Sequence, residues 1–426
     1  MRSLVRENAV ASCAAAAALL IVGWLGLYGW AWTDWDTEAR PAVDALLAGH
    51  VAQFLHLAPA YGGSLILRSP FVLLTTLWHG GQLAVYRASA VPCLLAAGVL
   101  GVWLCARLRA AGCSTSTRAL ALALCVANPL MLTALQVGHP EELLGAALCV
   151  GAVLCAMSDR PRWAALLLGL AIANKEWAVL AIGPVLVALP RARLEALLIA
   201  GAVAGVVLVP LMIGASGGFV GQAAAAGLST GTIFQPWQLW WFLGSHGHVV
   251  RGLYGNVKVG YRVPPEWLGS LGHILVVAIM PPLSLLYARL DGGTRRREGN
   301  GALLLLTLLL ALRCVLDPWD TGYYALPFLI ALATWESLSF HRPPVLALLG
   351  AFSAWFVFEQ TSSLALSADM QALVFAVVSV LAVATLTVAL YAAGAPALLR
   401  GRAAGRVRRR ADGWPATPTR EAGIRT

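Results

Sequence analysis

Charge is what this sequence has least of. Only 12% of its 426 residues are Asp, Glu, Lys or Arg, about half the share of an ordinary soluble domain. With 59% hydrophobic residues and a mean hydropathy of +0.75, that scarcity excludes a soluble globular enzyme and defines a polytopic membrane protein. A cysteine framework is missing too. The eight cysteines, Cys13, Cys93, Cys105, Cys113, Cys125, Cys149, Cys155 and Cys314, form no CxxC pair and lie in or beside apolar runs. They read as small core hydrophobes, and no disulfide or metal set is expected from them. No internal repeat is visible and few ionisable groups fall at mid-bilayer depth, whereas a cation-coupled transporter binds near the midplane and carries repeats. The net charge of +10 does not read as nucleic-acid binding, because Lys and Arg fall mainly in short runs between apolar segments, where they set topology.

What is present is a series of spans. A crossing needs about 20 apolar residues, and cytoplasmic loops collect Lys and Arg. The motif "VASC" at 10–13 resembles a lipoprotein cleavage box, but the apolar run follows the cysteine instead of preceding it. Residues 9–31 are therefore an uncleaved first span, entered from a cytoplasmic N-terminus carrying Arg2 and Arg6. Further spans are expected at 83–106, 119–136, 141–157, 194–214, 268–290, 301–316, 323–340, 344–358 and 370–393. Residues 40–56 have helical spacing but are too short and polar to cross, which predicts an interfacial helix. "YGGSLILRSPFVLLTTLWHGG", interrupted by Arg68 and Pro70, reads as a second helix kept on the outer side.

Between two basic loops lie the apolar pieces 163–173 and 177–190, broken by Asn174, Lys175 and Glu176. At about 1.5 Å per residue neither piece crosses comfortably alone. A hairpin with its "NKEW" turn in an outward-facing cavity is expected, since non-helical backbone at depth must be buried in protein or face water. Counting both arms, the expectation is an all-α protein with about 12 membrane helices, a membrane domain over 1–393 and a basic cytoplasmic tail over 394–426 that touches anionic lipid.

This topology sorts the polar residues. Asp34, Asp36, Glu38, His139, Glu141, Glu142, Lys175, Glu176, Gln235, His246, His248, Lys258, Arg262, Asp317, Asp320, Tyr323 and Glu359 all fall in the outer half, as a site fed from the lipid would require. Each has a plainer reading. Asp34 and Asp36 can solvate the end of the first span or cap the next helix. Glu38 and Arg40 can pair locally, and Asp44 suits a solvated face. Glu141 and Glu142 suit a helix N-terminus. Lys175 needs a partner wherever the membrane surrounds it, and the adjacent Glu176 is the nearest in sequence. Arg68, Lys258 and Arg262 can anchor at the interface. "HGH" at 246–248 is a weak metal signal without placed carboxylates.

Four stretches together carry a family resemblance: "DWDTEARPAVDALLAG" after the first span, "GHPEELLGAALCVGAVL", "GLAIANKEWAVLAIGPVLVAL" and "LDPWDTGYYALPFLIAL". In order and topology the chain over 9–393 resembles the GT-C superfamily of membrane glycosyltransferases, and most nearly glycosyltransferase family 87, the mannosyltransferase type. The resemblance implies a GT-C-like fold and inverting transfer from a polyprenyl-phosphate sugar, with mannose the expected sugar. It implies a lipid or glycan acceptor at the extracytoplasmic face and a cell-membrane location; the distribution of Lys and Arg puts both termini in the cytoplasm, and a monomer is expected. The lipid-linked sugar is then a substrate, and neither a cofactor nor a metal is expected. The family's base is an acidic residue of the first outer loop, which falls at or next to Asp36, with Asp34 the alternative. Lys175, Arg68, Arg262 and Lys258 are candidates for the donor phosphate. His139, Glu142, Asp317, Asp320, Tyr323 and His246 are candidates for sugar or acceptor contact. Where relatives have aromatic residues a few positions past the aspartate, this chain has Thr37 to Arg40.

Overall fold

A computed structural model describes residues 2–28, 34–214, 234–246, 262–290, 300–318, 320–360 and 366–392. Lys258, His248 and the tail 394–426 lie outside the described residues, and His246 is described only as a backbone position. Among the described residues the chain is helical, apart from a two-stranded antiparallel ribbon of Ser245–His246 (β1) and Arg262–Val263 (β2).

The helices in chain order are α1 (Arg2–Gly26), α2 (Arg40–Leu47), α3 (Val51–Leu57), α4 (Gly62–Leu74), α5 (Gln82–Ala110), α6 (Thr115–Val126), α7 (Pro129–Val137), α8 (Glu141–Met157) and α9 (Pro161–Asn174). They continue as α10 (Ile182–Ala188), α11 (Arg193–Gly214), α12 (Glu266–Ala278), α13 (Met280–Leu290), α14 (Gly301–Leu316), α15 (Ala325–Phe340), α16 (Val345–Trp355) and α17 (Ala368–Tyr391). Five segments are long and apolar enough to cross a membrane: Asn8–Gly26, Gln82–Ala110, Thr115–Val137, Arg193–Gly214 and Ala368–Tyr391. The other apolar helices are shorter.

Breaks fall where local chemistry requires them. Gly49, at φ +79°, turns the expected helix over 40–56 into α2 and α3, because a left-handed residue ends a helix. Asn128 accepts the Leu130 N–H at 3.1 Å and is followed by Pro129, so the segment 119–136 is two helices end to end. Met280, Pro281 and Pro282 open α13 directly after α12, where a proline cannot continue the preceding helix.

The interrupted pair around Lys175 is present. α9 ends at Asn174, Lys175 is extended at φ −157° and ψ 139°, and a 3₁₀ turn (Glu176–Ala181) leads into α10. The start of α9 meets the start of α11, where Arg162 Nε lies 3.2 Å from Glu195 Oε1. The arms do not zip together: α9 lies against α8 and α11, and α10 against α8, α13 and α14.

α8 is the central helix, buried along nearly its whole length from Glu141 to Ala156. Its first turn carries the two buried carboxylates around which the charged residues gather.

Candidate functional site

The site begins at a close approach of backbone. Gly138 stands at φ +114°, and a Cβ there would lie 2.6 Å from Trp35 N. Glycine alone lets the loop after α1 lie on the turn between α7 and α8. Behind it, a Cβ on Gly63 would lie 2.0 Å from Ala173 O, so α4 reaches the end of α9 closely enough for Ser64 Oγ to donate to Asn174 Oδ1 at 2.8 Å. Asn174 Nδ2 in turn donates to Glu141 O at 3.0 Å.

That docking brings Asp34 to His139. Asp34 Oδ2 is 3.1 Å from His139 Nε2, and Glu141 Oε1 is 2.6 Å from His139 Nδ1. Two carboxylates thus grip one imidazole from opposite edges, and Tyr323 stacks on its face with ring centroids 4.8 Å apart. Burial by itself would depress the His139 pKa, but Glu141 and then Asp34 more than offset it against the opposing Lys175, leaving it raised to about 9. The ring is an imidazolium at neutral pH. Glu38, on the rim, faces His139 and Tyr61. Its carboxyl is raised above the usual range by desolvation, which outweighs the pull of His139 and of a hydrogen bond from Tyr61.

Beneath the histidine the charges continue inward. Lys175 Nζ lies 3.2 Å from Glu141 Oε1 and 2.9 Å from Glu142 Oε1. Glu142 also takes the Arg313 fork at 3.3 and 3.4 Å and the Trp177 indole N–H at 3.3 Å. Arg68 Nη2 is 3.5 Å from Glu141 Oε2. Aromatic faces close the cluster: Lys175 lies over Tyr61 at 5.0 Å, and Arg313 over Tyr324 at 4.3 Å and Trp177 at 4.8 Å. All five charges are buried, so they persist only because each has opposite charge beside it.

The sequence candidates therefore separate. Asp34, His139, Glu141, Glu142, Lys175, Arg68 and Tyr323 come together in one cluster. Asp36 does not: it is exposed, and it accepts from Arg40 Nη1 at 3.1 Å, while Arg40 Nε reaches Asp44 Oδ2 at 3.5 Å. Lys175 pairs across helices with Glu141 and Glu142, while the adjacent Glu176 is exposed. Arg262 belongs to a satellite cluster, bonded to Asp369 Oδ1 at 2.9 Å and lying over Trp241 at 5.1 Å.

Asp317 and Asp320 are buried in the turn after α14, where Asp320 is pushed well above the usual carboxyl range by burial and by Asp317. That turn is buckled in place by Trp240, Gln238 and Trp237, which donate to the carbonyls of Leu316, Pro318 and Asp320 at 3.0, 2.6 and 3.0 Å. It hands Tyr323 to His139. Asp34, Glu38 and His139 place ligand-type atoms within 4.8 Å of one another, and carboxylates lie against both His139 nitrogens.

Sequence reasoning overlooked Arg313, Trp177 and Asn174. Arg313 was absorbed into the apolar run "ALLLLTLLLALRCVL". A lone arginine inside a span is itself a signal, because it must find a carboxylate. It finds Glu142.

Fold and site together define a membrane-embedded helical protein with a carboxylate–histidine site laid over a buried ionic core. Residues 59–191 match the model of the MptA_B family, described as Alpha-(1->6)-mannopyranosyltransferase, N-terminal domain. That segment is similar to a mannosyltransferase family, in agreement with the resemblance drawn from its motifs. No curated protein and no solved structure gives a match. The matched segment holds Arg68, His139, Glu141, Glu142 and Lys175. Asp34, Arg313 and Tyr323 are brought to it from outside.

Proposed function

We propose that this protein is an integral membrane mannosyltransferase that uses polyprenyl-phosphate-mannose, acts on a lipid or glycan acceptor at the extracytoplasmic face, and inverts the anomeric carbon with Asp34 as base. The observation that carries this reading is the docking of Asp34, from the first loop, on His139 of the family-matched segment. Asp34 is partly open to solvent, with 35% of its side chain exposed. His139 holds one of its oxygens at 3.1 Å, and the partial exposure is what lets an incoming hydroxyl reach the side chain.

In the reaction the acceptor hydroxyl attacks the anomeric carbon as Asp34 takes its proton. The carbon–oxygen bond to phosphate breaks, and polyprenyl phosphate leaves with the electron pair. A phosphate leaves without a general acid, but its growing charge calls for a cation. Lys175 is assigned that part, being the least buried of the three inner cations at 6% exposure against 3% for Arg313 and 0% for Arg68. Arg68 and Arg313 hold the two glutamates. Tyr323, with Asp317 and Asp320 behind it, lines the sugar side. The extracytoplasmic placement is supported by the distribution of Lys and Arg along the sequence.

The test is to incubate purified protein with radiolabelled polyprenyl-phosphate-mannose and cell-envelope lipids. A labelled glycosidic product is expected from the wild type and none above background from Asp34→Asn. Labelled donor that crosses a vesicle membrane without forming product would overturn the reading in favour of a lipid-linked-sugar translocator.

A further inference from the structure

Trp35 separates two aspartates with opposite surroundings, and the side away from His139 holds a cavity. It measures about 180 Å³ and lies between α2 and the start of α5, with Gly80 and Gly81 in its wall. Arg40, Asp44 and Gln82 supply the polar lining, and Val43, Leu47 and Val85 the apolar one. Cavities of roughly 150 Å³ admit one benzene ring, so a single six-membered ring is the size that fits.

The lining decides which ring. Arg40 lies between Asp36 and Asp44 at 3.1 and 3.5 Å, and its guanidinium keeps further N–H donors for a ligand. Gly81, the residue before the 29-residue α5, gives that helix no side-chain cap. Two carboxylates against one guanidinium make the local charge negative, and that disfavours a phosphate. An uncharged ring with hydroxyls on its edge and C–H groups on its face satisfies both walls.

We infer that this cavity is a subsite for a neutral hexopyranose ring of the acceptor, held by Arg40, Asp44 and Gln82. The inference rests on the proposed mannosyl transfer, since Trp35 of the cavity wall adjoins Asp34 in the chain and a ring seated there belongs to the substrate whose hydroxyl Asp34 activates. Asp36 then serves the acceptor indirectly, by orienting Arg40.

The experiment has a binding arm and a kinetic arm, both with the full-length protein in nanodiscs. Saturation-transfer NMR with methyl α-mannopyranoside is expected to give a signal in the wild type, lost in Leu47→Trp, which fills the cavity, and in Asp44→Leu, which removes a polar wall. Inorganic phosphate is expected not to displace the sugar. With octyl α-mannopyranoside as acceptor, both variants are expected to raise the acceptor KM at least tenfold, with the donor KM unchanged and kcat within about threefold. A thermal melt within a few degrees of the wild type establishes that each variant is folded. If methyl mannoside still binds folded Leu47→Trp, or phosphate competes with it, the subsite is wrong whatever the transfer assay gives. If the wild type binds the sugar but makes no product, the transferase reading fails and the subsite stands.

Discussion

The loop after α1 presents two ionic arrangements two residues apart, and they obey different physics. On one side Asp34 joins a network that runs through His139, Glu141, Lys175 and Glu142 to Arg313, with every member beyond Asp34 buried. On the other, Asp36, Arg40 and Asp44 form a triad with side chains 39–52% exposed. Water screens the second arrangement, so each of its pairs is worth about 0.2–1 kcal/mol. The first has no water to fall back on. Removing one partner strands a charge, at a cost of about 3–5 kcal/mol. The inner network is therefore a rigid support, and the outer triad is adaptable. A base that must keep its position belongs on the first, and side chains that meet a variable acceptor belong on the second.

The contrast is broken most severely by Glu142→Ala, which leaves Lys175 and Arg313 short of charge. A loss of about 3–5 kcal/mol is expected, seen as a collapse of folded yield or a large drop in melting temperature in detergent. A melt close to the wild type would mean that the inner network supports nothing.

The next effect is on pH. His139 is raised to about 9 in the folded protein, above the ordinary value of about 6.5. Its contribution to stability is therefore fully present below about 6.5 and is lost as pH rises through about 9. Melting temperature measured from pH 6 to 10 is expected to fall across the upper part of that range, and to fall less in His139→Gln. Equal slopes would remove His139 from the network.

Gly138→Ala acts through backbone. The added Cβ meets Trp35 at 2.6 to 2.7 Å, at φ +114°, so strain of about 1–3 kcal/mol is expected. The loop is pushed off the turn, and kcat should fall at least tenfold in the mannosyl transfer assay while the helical circular dichroism stays the same. Smallest is the outer triad: a double-mutant cycle on Asp36 and Arg40 is expected to give a coupling below about 1 kcal/mol in thermal or denaturant unfolding.

Much of this was legible in the sequence. The start of α8 at Glu141 and the interruption at Lys175 were placed because a helix start and a charge inside an apolar run each leave a local mark. Sorting polar residues by loop put Asp34, His139, Glu141, Glu142, Lys175 and Tyr323 in one outer half, but it put Asp36, Glu176 and Arg262 there as well, and only the packing separates them. The choice between Asp34 and Asp36 was not legible. Two residues apart on a helical turn point about 200° from each other, so only one faces inward, and which one depends on the π-helical turn over Trp35–Ala39 and on where Gly138 lets the loop dock. Motif spacing favoured Asp36; the contact with His139 favours Asp34. The partners of Lys175 were hidden for a similar reason, since Glu141 and Glu142 lie more than 30 residues away in the chain and only the packing of α9 on α8 brings them close.

The central claim is that Asp34 does the chemistry and Asp36 only orients what binds. It is tested by measuring mannosyl transfer at saturating acceptor for Asp34→Asn and Asp36→Asn side by side, with matched thermal melts. A fall in kcat of at least about 10²-fold is expected for Asp34→Asn, with kcat within about threefold and a raised acceptor KM for Asp36→Asn. The reverse pattern, with Asp36→Asn inactive and Asp34→Asn active, would contradict the account.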